Sequence, residues 1–401
     1  MKKEISSRQL GILIFISMLG FKLTFLPASL FKYARTDGII SFFLALIIDL
    51  ICFVIVFITF LKNEDVSFSA FLEKRIGMFF AKIIYFIFFV FFMFKLFFLI
   101  SAGFYFVKEA IYEEGILALF LFIFLLTINS LFLFKINSFS RTVEFFFPVI
   151  FFVLIFIISL GFLTSNYHSL TPLFVRNSSE IFNGAFRNFI SFGDFIFILP
   201  FMGKVNFEKI KTNVIKFACF AIIILSSFYI AYFSFFKYTA FMHFHAITDI
   251  IEFVPLAAII ENLDWLPTSL MLTIFLLQGS IYFFVVINSL YNITKTKKFS
   301  YDKRYILIPF NIVLIVLEFL FFYGANSMLV LSQQFASFIC LAISVFISIF
   351  CFAISFIKKE TERKKHYIVK LYNEDLKWIS EMKNFNKNLS KKKIFKVGGQ
   401  K

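Results

Sequence analysis

Charge, glycine, proline and cysteine are all scarce in this 401-residue chain. Charged residues make up 16% of it, with 24 acidic against 40 basic side chains. With so little charge and 60% hydrophobic residues, the apolar excess cannot be hidden in one core. That excludes an ordinary cytosolic enzyme, a disordered tail protein and a collagen-like fibre. Cys52, Cys219, Cys340 and Cys351 stand singly inside apolar runs. They show neither metal-ligand spacing nor the pairing pattern of a disulfide framework, and they read as small apolar residues. Also missing are a P-loop, dinucleotide-binding glycines, a nucleophile motif and a zinc-protease helix. No enzyme activity, cofactor or metal is therefore expected. His243 and His245 are two residues apart but lack a third ligand, so they read as part of a loop.

What is present is apolar length. A membrane-crossing helix takes about 20 apolar residues, so this chain has material for roughly ten to twelve. Cutting the runs at charge, Pro, Gly and Asn clusters predicts ten spans, at about 9–31, 38–61, 79–107, 115–135, 144–164, 184–203, 212–236, 265–292, 303–323 and 327–357. The first follows Lys2 and Lys3 like a signal peptide, but it is too long and lacks a small-x-small cleavage site, so it is expected to be retained. The fold class is thus an all-α polytopic membrane domain over 1–357, followed by a basic segment over 358–401. With an inside N-terminus, 32 of the 40 basic residues fall on the inner side and 6 on the outer, while Lys22 and Lys95 lie within spans. This split follows the positive-inside rule and places both termini in the cytoplasm. The net charge of +16 is then mostly topogenic, and no nucleic acid partner is expected. The loops are expected to carry little structure of their own. The exception is a short interfacial helix around Phe253–Ile260, within the outer segment 237–264.

Because glycine and proline are rare, their positions are informative. The first expected span contains Gly20-Phe-Lys-Leu-Thr-Phe-Leu-Pro27, and the sixth contains Gly193-Asp-Phe-Ile-Phe-Ile-Leu-Pro200. Both read Gly, six residues, Pro, and both end Leu-Pro. Each opens a group of five spans, and an odd number inverts the second group relative to the first. This is the pattern of a 5+5 inverted repeat, about 9–164 and 184–357, with discontinuous helices 1 and 6 as in LeuT-like transporters. Gly permits the unwinding, and Pro removes an N–H and breaks the ladder. Freed amides at such breaks suit a carboxylate, and freed carbonyls suit an ammonium or another cation.

Five ionisable residues lie within the apolar runs: Lys22, Asp49, Lys95, Asp194 and Glu318. Charges in lipid are expensive, so these should face the bundle interior. Lys22 and Asp194 sit at the two breaks with opposite signs, which predicts either an ion pair or a recognition site for a zwitterion. At the breaks themselves, Lys22 and Asp194 are the expected ligand-binding side chains, with Ser191 adjoining the second break. Asp49 and Lys95 are candidates to pair with each other. Lys95, Gln278 and Glu318 are further candidates for the pocket or for coupling. Ser101, Asn129, Ser280 and Asn288 are polar residues of the kind that bind helices together.

In 358–401, Ile368, Leu371, Tyr372, Leu376, Ile379 and Met382 recur at helical spacing among 14 basic residues. This predicts an amphipathic helix lying on the inner leaflet or docking a partner.

Ile5-Ser-Ser-Arg-Gln-Leu10, Phe25-Leu-Pro27, Phe189-Ile-Ser-Phe-Gly-Asp-Phe195, Ile198-Leu-Pro-Phe201 and Glu261-Asn-Leu-Asp264 together resemble the B subunit of GerA-type spore germinant receptors, over about residues 5–325. That family belongs to the amino acid–polyamine–organocation superfamily. The resemblance implies the broken-helix repeat fold, and a subunit in the spore inner membrane that recognises a small nutrient such as an amino acid. It also implies a ligand pocket made by Gly20, Phe21, Lys22, Leu23 and Thr24 with Ser191, Phe192, Gly193 and Asp194, and A-type and C-type subunits as partners. Lys22 departs from the small or apolar residue usual there, and the basic tail is longer than usual. The competing reading is an amino acid or polyamine permease, proton-coupled through Asp194 or Glu318.

Overall fold

The structure, a computed structural model, describes residues 4–64, 66–110, 117–133, 136–165, 170, 173–254, 265–295, 302–322 and 335–356. The chain divides into two compact units, 1–353 and 354–401, and in the second only the helical residues 354–356 are described. The amphipathic helix expected over 358–401 therefore lies outside the described residues.

The described elements are helical. They are α1 (Ser7–Leu19), α2 (Phe25–Ala34), α3 (Gly38–Lys62), α4 (Phe68–Ile76), α5 (Met78–Ala110), α6 (Leu117–Leu133), α7 (Ile136–Thr164), α8 (Ser178–Arg187), α9 (Ile210–Phe236), α10 (Ala246–Glu252), α11 (Trp265–Thr294), α12 (Leu307–Phe322) and α13 (Ser337–Phe356). Tight 3-10 turns lie at 20–23, 35–37, 189–191, 194–201, 237–242 and 303–306. Among the described residues, β-pairing is limited to one parallel bridge between Ile5 and Val205.

Among the described residues, six helical stretches are long and apolar enough to cross a membrane: 25–62, 78–109, 136–164, 210–236, 265–294 and 337–356. Shorter apolar helices lie at 117–133, 189–201 and 307–320. The protein is an all-helical, multi-pass membrane protein. In hydrocarbon a helix satisfies its own backbone polar groups, which is why apolar runs of this length take this form. Side chains such as Ile47 and Ile51 on α3, Phe122 on α6, Phe152 on α7 and Ile312 on α12 are exposed on the protein surface, where lipid replaces water. By contrast α1, apolar on all sides, is buried along its length except at Arg8 and packs on α7, α9 and α11.

The start of α1 explains the sequence Ile5-Ser-Ser-Arg-Gln-Leu10. Ser6 and Gln9 form a reciprocal capping box, with Ser6 Oγ accepting from the Gln9 amide at 3.2 Å and Gln9 Oε1 accepting from the Ser6 amide at 3.0 Å. Gln9 Nε2 also donates to Glu144 on α7 at 3.0 Å, and Arg8 pairs with the same carboxylate at 3.3 Å. The Glu4 and Ile5 amides donate to the Lys204 carbonyl, and the Asn206 amide donates to that of Ile5.

Two expectations need correction: the segment between the second and third expected spans, and the start of α7. The segment between the second and third expected spans is not plain loop: Ser67 caps α4 by accepting the Ala70 amide at 3.3 Å, and Phe68, Phe71 and Leu72 bury the inner side of that helix. Within the expected outer segment 237–264, the described residues form a helix, α10, at 246–252; the expected helix over 253–260 lies mostly outside the described residues. α7 begins eight residues before the expected 144, and within its first turns Glu144 pairs with Arg8 and Gln9 rather than facing lipid. Expected spans 1 and 2 are joined by a single tight turn, 35–37, in which Arg35 has a φ of 51°.

That turn holds residues 174–176 in place. Asp37 is fully buried, and its two carboxylate oxygens accept the amides of Phe174 and Arg176, each at 2.8 Å. Hydrogen bonds to a charged acceptor contribute about 1.5–3 kcal/mol each. Asp37→Ala is expected to lower the melting temperature and to release amides 174 and 176 to hydrogen exchange. Unchanged protection at those amides would show that the anchor is elsewhere.

Candidate functional site

Both expected helix breaks are present. α1 ends at Leu19, residues 20–23 form a 3-10 turn, and α2 restarts at Phe25. Pro27 lies in the first turn of α2, where no amide is needed. Its ring would clash with the Leu23 carbonyl in a continuous helix, so the break falls one turn earlier. Gly20 is needed there for proximity: a Cβ on it would lie 1.6 Å from Gln278 Oε1.

The second break is longer. α8 ends at Arg187, Phe192 is extended, and Gly193 takes a left-handed φ of +80°. Residues 194–201 then run as a 3-10 helix containing Pro200. Proline excludes the α-helical bond to residue 196, and eight residues is long for a 3-10 run. Gly193 also sits close beneath α13: a Cβ there would meet Ser344 Cβ at 3.1 Å.

The two breaks meet at Asp194. Lys22 Nζ lies 3.1 Å from Asp194 Oδ2, and Lys95 Nζ, from α5, lies 2.5 Å from Oδ1. Lys95 also donates to the Phe192 carbonyl, which the break has freed, at 2.5 Å. The Tyr282 hydroxyl donates to Asp194 Oδ1 at 2.6 Å and accepts from Gln278 Nε2 at 2.6 Å. Gln278 Nε2 reaches the Ser17 carbonyl at 3.0 Å. On the other side, the Tyr229 hydroxyl donates to the Lys22 carbonyl at 2.9 Å, and its ring stacks on Phe42 with centroids 3.8 Å apart. The Lys22 ammonium lies 5.0 Å from the Phe192 ring centroid, a cation–π contact.

The expected Asp49–Lys95 pair does not form. Lys95 is taken by Asp194 and Phe192, while Asp49 Oδ1 accepts the Gly193 amide at 2.9 Å. The reason is the rotation of α5, which points Lys95 at the break rather than at α3. Lys22, Lys95, Asp49 and Asp194 are all at most 1% exposed. Two lysines and two aspartates balance in charge, which is how four charged groups tolerate burial together.

Of the other expected residues, Phe21, Leu23, Thr24 and Ser191 are buried at the breaks. Thr24 Oγ1, Gln278 Oε1 and Asp49 Oδ2 have no hydrogen-bond partner. Glu318 does not join the cluster. It is buried on α12 and accepts from Ser101 of α5 at 2.9 Å, and Ser101 lies six residues, or about 9 Å of helix, beyond Lys95. Tyr229 and Tyr282 were not singled out in the sequence. Tyr282 could have been found, because it lies four residues after Gln278 on the same helix face. Tyr229 carries no comparable signal.

Away from the breaks, His245 Nε2 lies 2.5 Å from Glu109 Oε2, and the His245 ring meets those of Phe25 and Phe106 edge-on. Asp249 Oδ2 accepts the His245 amide at 3.2 Å and lies 3.6 Å from His243 Nδ1. Among the described residues, no three such side chains are placed to share a metal ion. Burial pushes the Asp249 carboxyl up to about 6, against the opposing pull of His245. An acid whose folded pKa lies above its unfolded value of 3.8 stabilises the fold most at low pH, and that contribution is lost as pH rises through about 6. The loss is at most about 3 kcal/mol for a shift of this size. Hydrogen exchange at amides 246–252, corrected for intrinsic rates, should therefore be slower at pH 5 than at pH 8. Asp249→Asn should abolish that difference, and a difference that survives the substitution would assign it to another group.

Together the helices and the buried ion cluster define a multi-pass membrane protein with two broken helices joined at its centre. A family model described as spore germination protein, the spore permease family, matches residues 4–327. The chain belongs to that family. The match takes in both breaks, Lys95, Gln278 and Glu318. No curated protein matches the chain.

Proposed function

We propose that this protein is the nutrient-sensing membrane subunit of a spore germination receptor, and not an enzyme. It binds a small zwitterion such as an amino acid at the two helix breaks. The observation that carries this reading is the meeting of Lys22, Lys95 and Asp194 where both helices unwind. These three groups already form the contacts that a zwitterion would make. The ligand carboxylate would replace Asp194 at the lysines, and the ligand ammonium would replace a lysine at Asp194. The cluster is sealed, so the ligand enters only as the breaks part. A ligand shifts such an equilibrium by its differential affinity for the open and sealed states.

The architecture that goes with this reading is ten membrane helices in a 5+5 inverted repeat. Both termini are cytoplasmic, the membrane is the spore inner membrane, and A-type and C-type receptor subunits are the partners. Matching Gly-x6-Pro segments at both breaks support the repeat.

The test is deletion of the gene in its spore-forming host, with germination of purified spores followed against a panel of amino acids and other nutrients. Loss of response to particular nutrients is expected. Wild-type complementation should restore it, and Lys22→Met or Asp194→Asn present at equal abundance should not. Normal germination with altered amino acid uptake in growing cells would replace this reading with the permease.

A further inference from the structure

A second polar site lies on the face that carries the expected inner loops. A cavity of about 200 Å³ is bounded by the N-terminus of α4, the turn that follows residues 194–201 and the last turns of α11. Its polar lining includes Ser67, Ser69, Tyr85, Lys204, Asn292 and Lys295, with no carboxylate among the described residues. Lys204 Nζ lies 4.9 Å from the Phe284 ring centroid, and Lys295 Nζ lies 5.9 Å from that of Tyr291. Among the described residues, neither ammonium has an acidic partner within 4 Å. Burial pushes the Lys204 ammonium toward its neutral form, with Glu4 the charge that opposes this. Among the described residues, Glu73 on α4 acts on Tyr85, and α11 carries no acid.

This arrangement is built rather than incidental. The Lys204 carbonyl accepts the amides of Glu4 at 2.7 Å and Ile5 at 3.1 Å, which fixes its backbone. Gly203 takes a φ of +76°, and a Cβ on it would meet the Ser67 amide nitrogen at 3.0 Å, so the turn packs directly on the start of α4. The first amides of a helix and its positive end attract anions. Tyr85 is 3% exposed, and its hydroxyl has no hydrogen-bond partner. It is a donor without an acceptor from the protein, in the wall of a cavity bearing two unpaired cations.

We propose that this cavity binds a phosphate-type oxyanion through Lys204, Lys295 and the N-terminus of α4. A cavity this size is below the roughly 300 Å³ at which small-molecule sites begin, so it suits one such group rather than a larger ligand. The anion comes either free from solution or as the headgroup of an anionic lipid. Its position has a consequence for the buried cluster. Lys204 follows the 194–201 segment whose first residue is Asp194, so an anion that ties Lys204 to α4 holds that segment in place. The binding does not depend on what occupies the helix breaks.

The experiment uses the full chain in nanodiscs of neutral lipid, with melting temperature followed against inorganic phosphate at constant ionic strength set by chloride. A saturable rise is expected, with phosphate affinity at least tenfold weaker in Lys204→Gln and in Lys295→Gln, and weakened in Tyr85→Phe. This outcome establishes a free anion as the occupant. If phosphate has no effect but replacing part of the neutral lipid with phosphatidylglycerol raises the melting temperature in the wild type and not in the lysine variants, the occupant is a headgroup. No rise in either arm, or an equal rise in the variants, overturns the proposal.

Discussion

Asp194→Ala should be the most damaging single substitution in the membrane interior. It leaves Lys22 and Lys95 buried at 1% exposure with no carboxylate in contact, and it strands the Tyr282 hydroxyl. Breaking a buried ion pair by removing one partner typically costs about 3–5 kcal/mol, because the survivor is left uncompensated. That is a large share of a marginal stability of about 5–15 kcal/mol. A steep fall in melting temperature and in folded yield is expected. Lys22→Met should be milder, since Lys95 continues to neutralise Asp194. The decisive comparison is the double variant Lys95→Met with Asp194→Asn. If charge imbalance is the main penalty, the pair should be less damaging than the sum of the two singles, by up to about 3 kcal/mol in a double-mutant cycle. Strict additivity would mean that packing, not charge, holds the breaks together.

Gly20→Ala should come next. Its new methyl would lie 1.6 Å from Gln278 Oε1 and 2.6 Å from Cδ. The end of a glutamine is ordinarily free to move aside. Here it is pinned, because Gln278 Nε2 donates to the Ser17 carbonyl and to Tyr282. Displacing it breaks the chain of hydrogen bonds that runs from α1 through α11 to Asp194. Overpacking of this kind costs about 1–3 kcal/mol, and the lost hydrogen bonds add to it. Gln278→Ala removes the obstacle, so the double variant Gly20→Ala with Gln278→Ala should melt higher than Gly20→Ala alone. Failure of that rescue would show that Gly20 is required for its backbone conformation rather than for space.

The break positions were legible because proline and glycine act locally. A missing N–H and a ring clash disrupt the same turn whatever surrounds it, and this puts the interruption one turn before Pro27 in any fold. The extent of the 3-10 run that contains Pro200 was not legible, because α8 already ends at Arg187 and the left-handed Gly193, packed close to α13, sets where the run begins. The Lys22–Asp194 pair was legible because each break carries one charge, of opposite sign. The destination of Lys95 was not. Two lysines and two aspartates can pair in several ways, and choosing among them needs the rotation of α5 about its axis, which a span apolar on nearly every side does not encode. α4 was overlooked because its apolar residues Phe68, Phe71 and Leu72 are few and lie among charges.

Membrane residence, helical class, the places where the two broken helices open and the charges they bring are properties of the linear chain. They follow from transfer energies and backbone sterics that act over one or two turns. Which carboxylate neutralises which lysine is a property of the folded molecule, as are the capture of the Phe192 carbonyl, the anchoring of Gly193 by Asp49, and the gathering of Lys204 and Lys295 at the start of α4. Each joins groups far apart in sequence through contacts of 2.5–3.1 Å or through a shared cavity wall. At that range a rotation of one helix by a single residue exchanges one partner for another.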